Sequence, residues 1–237
     1  MSLPQPAPVQ LTDLCVGYRP DQPVLAGLTV STVLGEVLAI VGPNGSGKTT
    51  LFRTLLGVLA PLGGEALVAG LTPADYRGRY GLGYLAEDTA IPDGWTCDGI
   101  LALAAAAAGR DADVGRALEL AGIDYPTDVP ADKLSKGMKR RLALAVAFIR
   151  PIGLLILDEP ESGLDPGQRH RLRRNIETIR DEMTILVASH DLGELALMSD
   201  RVLFVDRGRC KLIERPVGGF TRDFLEEEFL GLEGAVS

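Results

Sequence analysis

Two hydrophobic periods run along the chain. Val9 to Cys15 and Val24 to Val33 alternate apolar and polar positions, the two-residue period of half-exposed strands. Val37 to Val41 and Gly153 to Leu157 are unbroken apolar runs too short for helices, which predicts strands buried on both faces. Thr184 to Ala188, Val202 to Val205 and Arg209 to Ile213 continue this core set. Glu65 to Ala69 and Tyr80 to Ala86 read as further strands, with Gly63-Gly64 and Gly70 as turn signals. Helical stretches lie between. One follows Val41 and runs to about Leu59. Asp98 to Ala108, Asp113 to Ala121 and Lys136 to Ile149 are next, with Pro126 and Pro130 breaking the loop between the last two. Pro166 to Arg180 opens with proline in its first turn, as helices favour. Leu192 to Met198 and Thr221 to Leu230 complete the set. Strand–helix alternation predicts an α/β fold with a mostly parallel sheet flanked by helices. The expected organisation is one domain over residues 1–237. It has a core at 9–87 and 150–214, an inserted helical subdomain at about 88–149, and a C-terminal helix at about 221–230.

The first chemistry lies between the buried strand and its helix. Gly42-Pro43-Asn44-Gly45-Ser46-Gly47-Lys48-Thr49 fits G-x-x-x-x-G-K-[ST], the phosphate-binding loop, in the strand–loop–helix context that the motif requires. Its glycines let successive backbone N–H groups turn toward an anion, and the helix N-terminus adds its positive dipole end. Lys48 is expected to reach the β- and γ-phosphates of a nucleoside triphosphate and the Thr49 hydroxyl to ligate Mg²⁺. Thr50 follows in the first helical turn. A second motif, Leu154-Leu155-Ile156-Leu157-Asp158-Glu159, is an apolar strand ending in two acids, a Walker B pattern. The strand delivers Asp158 to the Mg²⁺ site. Successive side chains on a strand point to opposite faces, so Glu159 is free to act as general base on water.

Composition narrows the field. The net charge of −8 over 237 residues disfavours a nucleic-acid partner, which needs a basic footprint. Two small basic clusters, Lys136, Lys139, Arg140, Arg141 and Arg169, Arg171, Arg173, Arg174, read as solvated helix faces. Three scattered cysteines, Cys15, Cys97 and Cys210, fit a reducing compartment rather than a disulfide scaffold. Met1 to Gln10 is proline-rich and lacks the apolar core of a signal peptide. No apolar run approaches the roughly 18–20 residues that span a bilayer, so any membrane segments are expected on another chain.

Leu134-Ser135-Lys136-Gly137-Met138 opens a helix, with Ser135 23 positions before Asp158. In this order the motifs resemble the nucleotide-binding subunits of ABC transporters, whose signature LSGGQ precedes a helix and Walker B. The resemblance covers about residues 9 to 214. It implies a RecA-like P-loop NTPase core with a mostly parallel sheet, an antiparallel β edge and the helical insert. It further implies that Ser135, Lys136 and Gly137 meet the γ-phosphate on the opposite subunit of a head-to-tail dimer. Asp165, in Ser162-Gly163-Leu164-Asp165, then lies on the dimer seam. His190, in Ser-His-Asp, matches the histidine that contacts the γ-phosphate. Tyr18 matches the aromatic that stacks on adenine. The other histidine, His170, reads as surface.

Two departures from the pattern are informative. Glu87 stands where the family usually has glutamine. It can still ligate Mg²⁺ as a hard oxygen donor but cannot donate an N–H. The signature reads Ser-Lys-Gly-Met. Both features resemble the ABC type-2 exporter subgroup, which includes drug, sodium and lipid- or polysaccharide-related exporters. The segment Asp223 to Leu230 is similar to that subgroup's C-terminal helix. The implied protein is a cytoplasmic ATPase, peripheral on the inner face of the cell membrane. It works as a homodimer or heterodimer with an integral membrane permease docked near residues 87–95. Trp95 is either an anchor of that dock or part of the helical core. The competing reading is a soluble ABC-type assembly factor or scaffold with no membrane partner. DNA-repair ATPases of this class carry long coiled-coil or metal inserts, for which the chain has no room.

Overall fold

The computed structural model describes residues 7–88, 91, 94–150, 152–206 and 208–234. Two sheets organise it. An antiparallel sheet of order β2-β1-β4 uses β1 (Val9–Val16), β2 (Leu25–Ser31) and β4 (Gly63–Val68). The central sheet has the order β5-β6-β7-β3-β8-β9. It uses β3 (Val37–Val41), β5 (Gly83–Leu85), β6 (Leu154–Asp158), β7 (Thr184–Ala188), β8 (Arg201–Asp206) and β9 (Arg209–Glu214). Its strands pair in parallel except for β9, which runs antiparallel to β8 at one edge. The parallel strands β3, β6 and β7 are buried at every position, which is why each reads as a continuous apolar run.

Alternate residues of these strands enter two different cores. Val37, Ala39 and Val41 join Leu155, Leu157, Ile185 and Val187 on one side. Leu38 and Ile40 join Leu154, Ile156, Leu186 and the apolar faces of β1 and β2 on the other. The central sheet is therefore the middle layer of three. Above it sit the antiparallel sheet, α1 (Lys48–Leu55) and α2 (Pro73–Tyr80). Below it pack α3 (Cys97–Ala108), α4 (Val114–Ala121), α5 (Lys136–Ala147), α6 (Pro166–Ile179), α7 (Leu192–Met198) and α8 (Arg222–Gly234).

The structure corrects several element limits. The first helix ends at Leu55 rather than Leu59. Gly57, at φ +66°, then turns the chain so close to α2 that an added Cβ would lie 2.5 Å from the Ala74 nitrogen. Helix α2 stands where a turn and the start of a strand were expected. Thr72 caps it by accepting from the Asp75 N–H at 3.2 Å, Pro73 occupies its first turn, and Tyr76 buries its ring. The strand expected over Tyr80 to Ala86 shrinks to the three residues of β5, because Gly81 (φ +73°) breaks the chain after α2. Among the described residues no helix is long and apolar enough to cross a membrane. Of the expected docking segment, residues 89, 90, 92 and 93 lie outside the described residues, as do residues 1–6 of the amino-terminal segment.

Strands β5, β6, β7 and β3 are neighbours and point the same way, so their carboxyl ends open on one crevice. That edge is where open α/β sheets bind ligands.

Candidate active site

The loop after β3 is shaped by what it excludes. A Cβ on Gly42 would lie 2.1 Å from the Val205 carbonyl oxygen and 2.5 Å from Ser46 Oγ. Gly45 and Gly47 hold φ of +81° and +110°, the left-handed region that glycine enters without strain. Gly47 is the N-cap of α1, which has no acidic residue in its first turn to neutralise its dipole. Lys48 is buried at 8% exposure. Its Nζ donates to the carbonyls of Gly42 (2.7 Å) and Pro43 (3.2 Å), so the ammonium is tethered across the loop it serves. Burial lowers the Lys48 pKa, against the opposing charges of Glu159, Asp158 and Glu87. Ser46 Oγ is buried without a hydrogen-bond partner among the described residues, an orphan polar atom in a loop suited to an anion.

The ends of β6 and β7 face this loop. Asp158 is 2% exposed and its Oδ2 accepts from Thr49 Oγ1 at 3.4 Å. Burial, then the neighbouring Glu87 charge, raises the Asp158 pKa, while Lys48 opposes the shift. Glu159 adopts φ +50°, a left-handed conformation rare for a residue with a side chain. Its N–H donates to the Ala188 carbonyl at 2.8 Å. Its Oε1 lies 3.1 Å from His190 Nε2, and its Oε2 accepts from the His190 N–H at 3.3 Å. Burial pushes the Glu159 pKa up, and His190 counters the shift.

A cavity of about 400 Å³ collects these groups. Tyr18, Asn44, Gly45, Gly47, Lys48, Thr49, Thr50, Glu87, Asp158, Glu159 and His190 all line it, with Val24. Gly42, Pro43 and Ser46 form the loop behind the lining. The oxygen set suits Mg²⁺. Among the described residues no cluster of three or more His, Cys, Asp or Glu is arranged to hold a metal by itself. Thr49, Asp158 and Glu87 instead present a partial set of hard oxygens, which Mg²⁺ characteristically completes with phosphate and water.

Tyr18 projects beside the cavity at 58% exposure. Its hydroxyl accepts from Arg53 Nη1 at 2.5 Å, and the guanidinium carbon sits 5.9 Å from the ring centroid. Arg53 was not singled out in the sequence. Its position, on the outer face of α1 one turn past the loop, is the signal that could have found it.

Ser135, Lys136, Gly137 and Asp165 are not among the residues lining this cavity. Ser135 caps α5 by accepting from the Met138 N–H at 3.2 Å. Asp165 caps α6 in a capping box with Gln168. A Cβ on Gly137 would lie 3.0 Å from the Gly163 carbonyl oxygen, so the signature glycine packs directly on the loop after β6. Ser135 and Asp165 are both exposed and lie outside the cavity lining. Trp95 is 40% exposed and lies at the surface.

The basic clusters are solvated only in part: Lys136, Arg171 and Arg174 are exposed as expected, and the others are not. Arg140 is only 5% exposed, and the Arg141 side chain 13% exposed. A run of basic residues on a helix has two sides, and here α5 turns Arg140 inward beneath the strand ends. In the second cluster Arg169 pairs with Asp191 at 3.0 Å and Arg173 with Glu194 at 2.9 Å, while Arg171 and Arg174 are exposed. His170 is exposed, its Nδ1 2.8 Å from Arg173 Nη2.

The ABC transporter family profile matches residues 25–162. An uncharacterised ABC transporter ATP-binding protein of Nostoc sp. is 35% identical over 86% of this chain. The Nod factor export ATP-binding protein I of Rhizobium meliloti is 34% identical over 83%. The chain spans 65% and 61% of the length of these two relatives. A bacterial Atm1-family ABC exporter solved with ATP bound superimposes on 98% of this chain, at 26% identity and a TM-score of 0.79, while this chain covers 42% of it. The chain belongs to the ABC transporter ATP-binding family.

Proposed function

We propose that the chain binds and hydrolyses ATP to energise an exporter whose membrane-spanning part lies on a separate permease. The observation that carries this reading is the single cavity in which the P-loop, Asp158, Glu159, His190 and Tyr18 converge. The loop N–H groups, the α1 N-terminus and Lys48 bind the phosphates, Tyr18 stacks on the base, and Thr49, Asp158 and Glu87 hold Mg²⁺. Held by these oxygens, Mg²⁺ would supply neutralisation of the charge that develops on the phosphates. Glu159 takes a proton from the attacking water, and His190 orients the Glu159 carboxylate from both of its oxygens. Ser135, Lys136 and Gly137 serve the phosphate site of a second subunit, with Asp165 on the seam; their absence from the cavity lining and the exposure of Ser135, Lys136 and Asp165 favour a role in trans. The subunit sits at the inner membrane face, in a homodimer or a heterodimer. The Nod factor export relative supports the export direction.

The deciding experiment is recovery of tagged Glu159→Gln with Mg-ATP from detergent-solubilised membranes, read by mass spectrometry. A stoichiometric partner with several membrane spans is the expected result. Reproducible recovery of soluble partners alone would replace the exporter by an assembly factor.

The base contact gives a smaller prediction. Tyr18→Ala is expected to weaken Mg-ATP binding about tenfold, as loss of base–aromatic stacking costs roughly 1–3 kcal/mol. Arg53→Met, which leaves the ring without its guanidinium support, is expected to weaken binding about threefold. Isothermal titration measures both, and an unchanged Kd in Tyr18→Ala would remove the residue from the site.

A further inference from the structure

Arg140 is a buried cation that the chemistry above leaves unused. It lies on α5, five positions after Ser135. Its Nη1 donates to the carbonyl oxygens of Ala86 (2.6 Å) and Glu87 (2.9 Å). Its Nη2 donates to those of Asp158 (2.5 Å) and Glu159 (2.6 Å). The four terminal hydrogens of the guanidinium thus meet four main-chain acceptors at the ends of two strands, β5 and β6. The pairing is specific. The carbonyls of residues i−1 and i flank the φ and ψ angles of residue i, so one nitrogen that grips both constrains that residue's backbone. Nη1 brackets Glu87 in this way, and Nη2 brackets Glu159.

Glu159 has the greater need of it. At φ +50° its backbone occupies a region that side-chain-bearing residues leave unless surrounding contacts hold them there. The direction of its carboxylate follows from that conformation. A planar fork with paired donors makes this contact, and a lysine ammonium does not reproduce it.

We propose that Arg140 is a positioning residue of the ATPase site, setting the backbone of both Glu159 and Glu87 and tying them to the signature helix. The proposal rests on the reading of Glu159 as the base. Its consequence is mechanical. Ser135 caps the N-terminus of α5, so a phosphate engaging Ser135 from another subunit acts on the helix that carries Arg140, and Arg140 passes that displacement to the two carboxyl groups.

The test uses Arg140→Lys and Arg140→Gln in the full chain, each with and without Glu159→Gln. The expected result is a kcat lowered ten- to thirtyfold, with KM and the Kd for Mg-ATP within threefold of the parent. In the Glu159→Gln background the further loss is expected to shrink to threefold or less, because the share that acts through Glu159 is already gone and only the share through Glu87 remains. Folded variants with the parental kcat, or an undiminished loss in the Glu159→Gln background, would overturn the proposal. Should both variants lack a cooperative melt, hydrogen exchange of the unaltered chain decides. Peptides covering residues 86–88, 136–141 and 158–160 should gain protection together on Mg-ATP binding, and independent responses would refute the link. Parental turnover in Glu159→Gln alone would instead overturn the role of Glu159, a separate failure.

Discussion

Glu159→Gln is expected to lower steady-state ATP turnover about a thousandfold, within the 10²- to 10⁴-fold range that general-base catalysis supplies. The substitution changes little else. Glutamine has the shape of glutamate and keeps an oxygen for the His190 N–H, which now donates to Glu159 Oε2 at 3.3 Å. It cannot accept a proton from water. The loop N–H groups, Lys48 and Tyr18 are untouched, so the Kd for Mg-ATP should stay within about threefold, as expected when only a transition-state interaction is lost. On the proposed cycle, in which hydrolysis reopens a head-to-tail dimer, the variant should accumulate as a Mg-ATP-dependent dimer. Phosphate release and light scattering measure the two effects. More than a tenth of parental turnover would show that another group takes the proton. A variant that remains monomeric with saturating Mg-ATP would separate nucleotide binding from dimerisation in this chain.

The site was legible in the sequence where one strand carried one motif. Gly42 to Thr49 and Asp158-Glu159 each sit at the end of a fully buried run, and the parallel sheet brings those ends together. His190 was legible for the same reason, since β7 lies between β6 and β3. Arg140 was not. Its type and neighbours are those of a solvated surface, and only the docking of α5 beneath two strand ends shows that its charge is buried among carbonyls. A local pattern cannot report partners 53 and 18 positions away. Helix α2 escaped for a different reason. Its Thr72-Pro73-Ala74-Asp75 start carries a cap and a proline, but eight residues with few apolar positions give no helical period. Tertiary contacts hold it in place: Tyr76 is buried in the second core with Tyr80 packed against that core, and Arg77 Nη1 donates to the Leu56 carbonyl at 2.6 Å.

Glu161→Gln is expected to remove a pH dependence of stability centred on the turn after β6. Glu161 is 5% exposed, and neither carboxyl oxygen has a hydrogen-bond partner in the described structure. Burial raises its pKa to about 8, with the charges of Glu159 and Asp191 adding to the shift and its own backbone N–H and Arg169 opposing it. The ordinary value is 4.5. Between these two values the folded chain keeps a proton that the unfolded chain has released. Stability from this group is therefore full below pH 4.5, declines as pH rises toward 8, and is lost above it. The loss between pH 5 and pH 8 is roughly 2–4 kcal/mol by linkage. Glutamine is neutral throughout, so its unfolding free energy should exceed the parent's by that amount at pH 8 and match it near pH 5. Urea melts at pH 5, 6.5 and 8 give the comparison, and a difference that does not change with pH would mean that the folded chain holds Glu161 ionised. The consequence reaches the chemistry. Glu161 lies two residues beyond Glu159 and interacts with it, so a protonated Glu161 spares the base a like charge. Above pH 8 the ionised Glu161 would raise the proton affinity of Glu159. The alkaline limb of the parent's turnover should therefore change shape in Glu161→Gln.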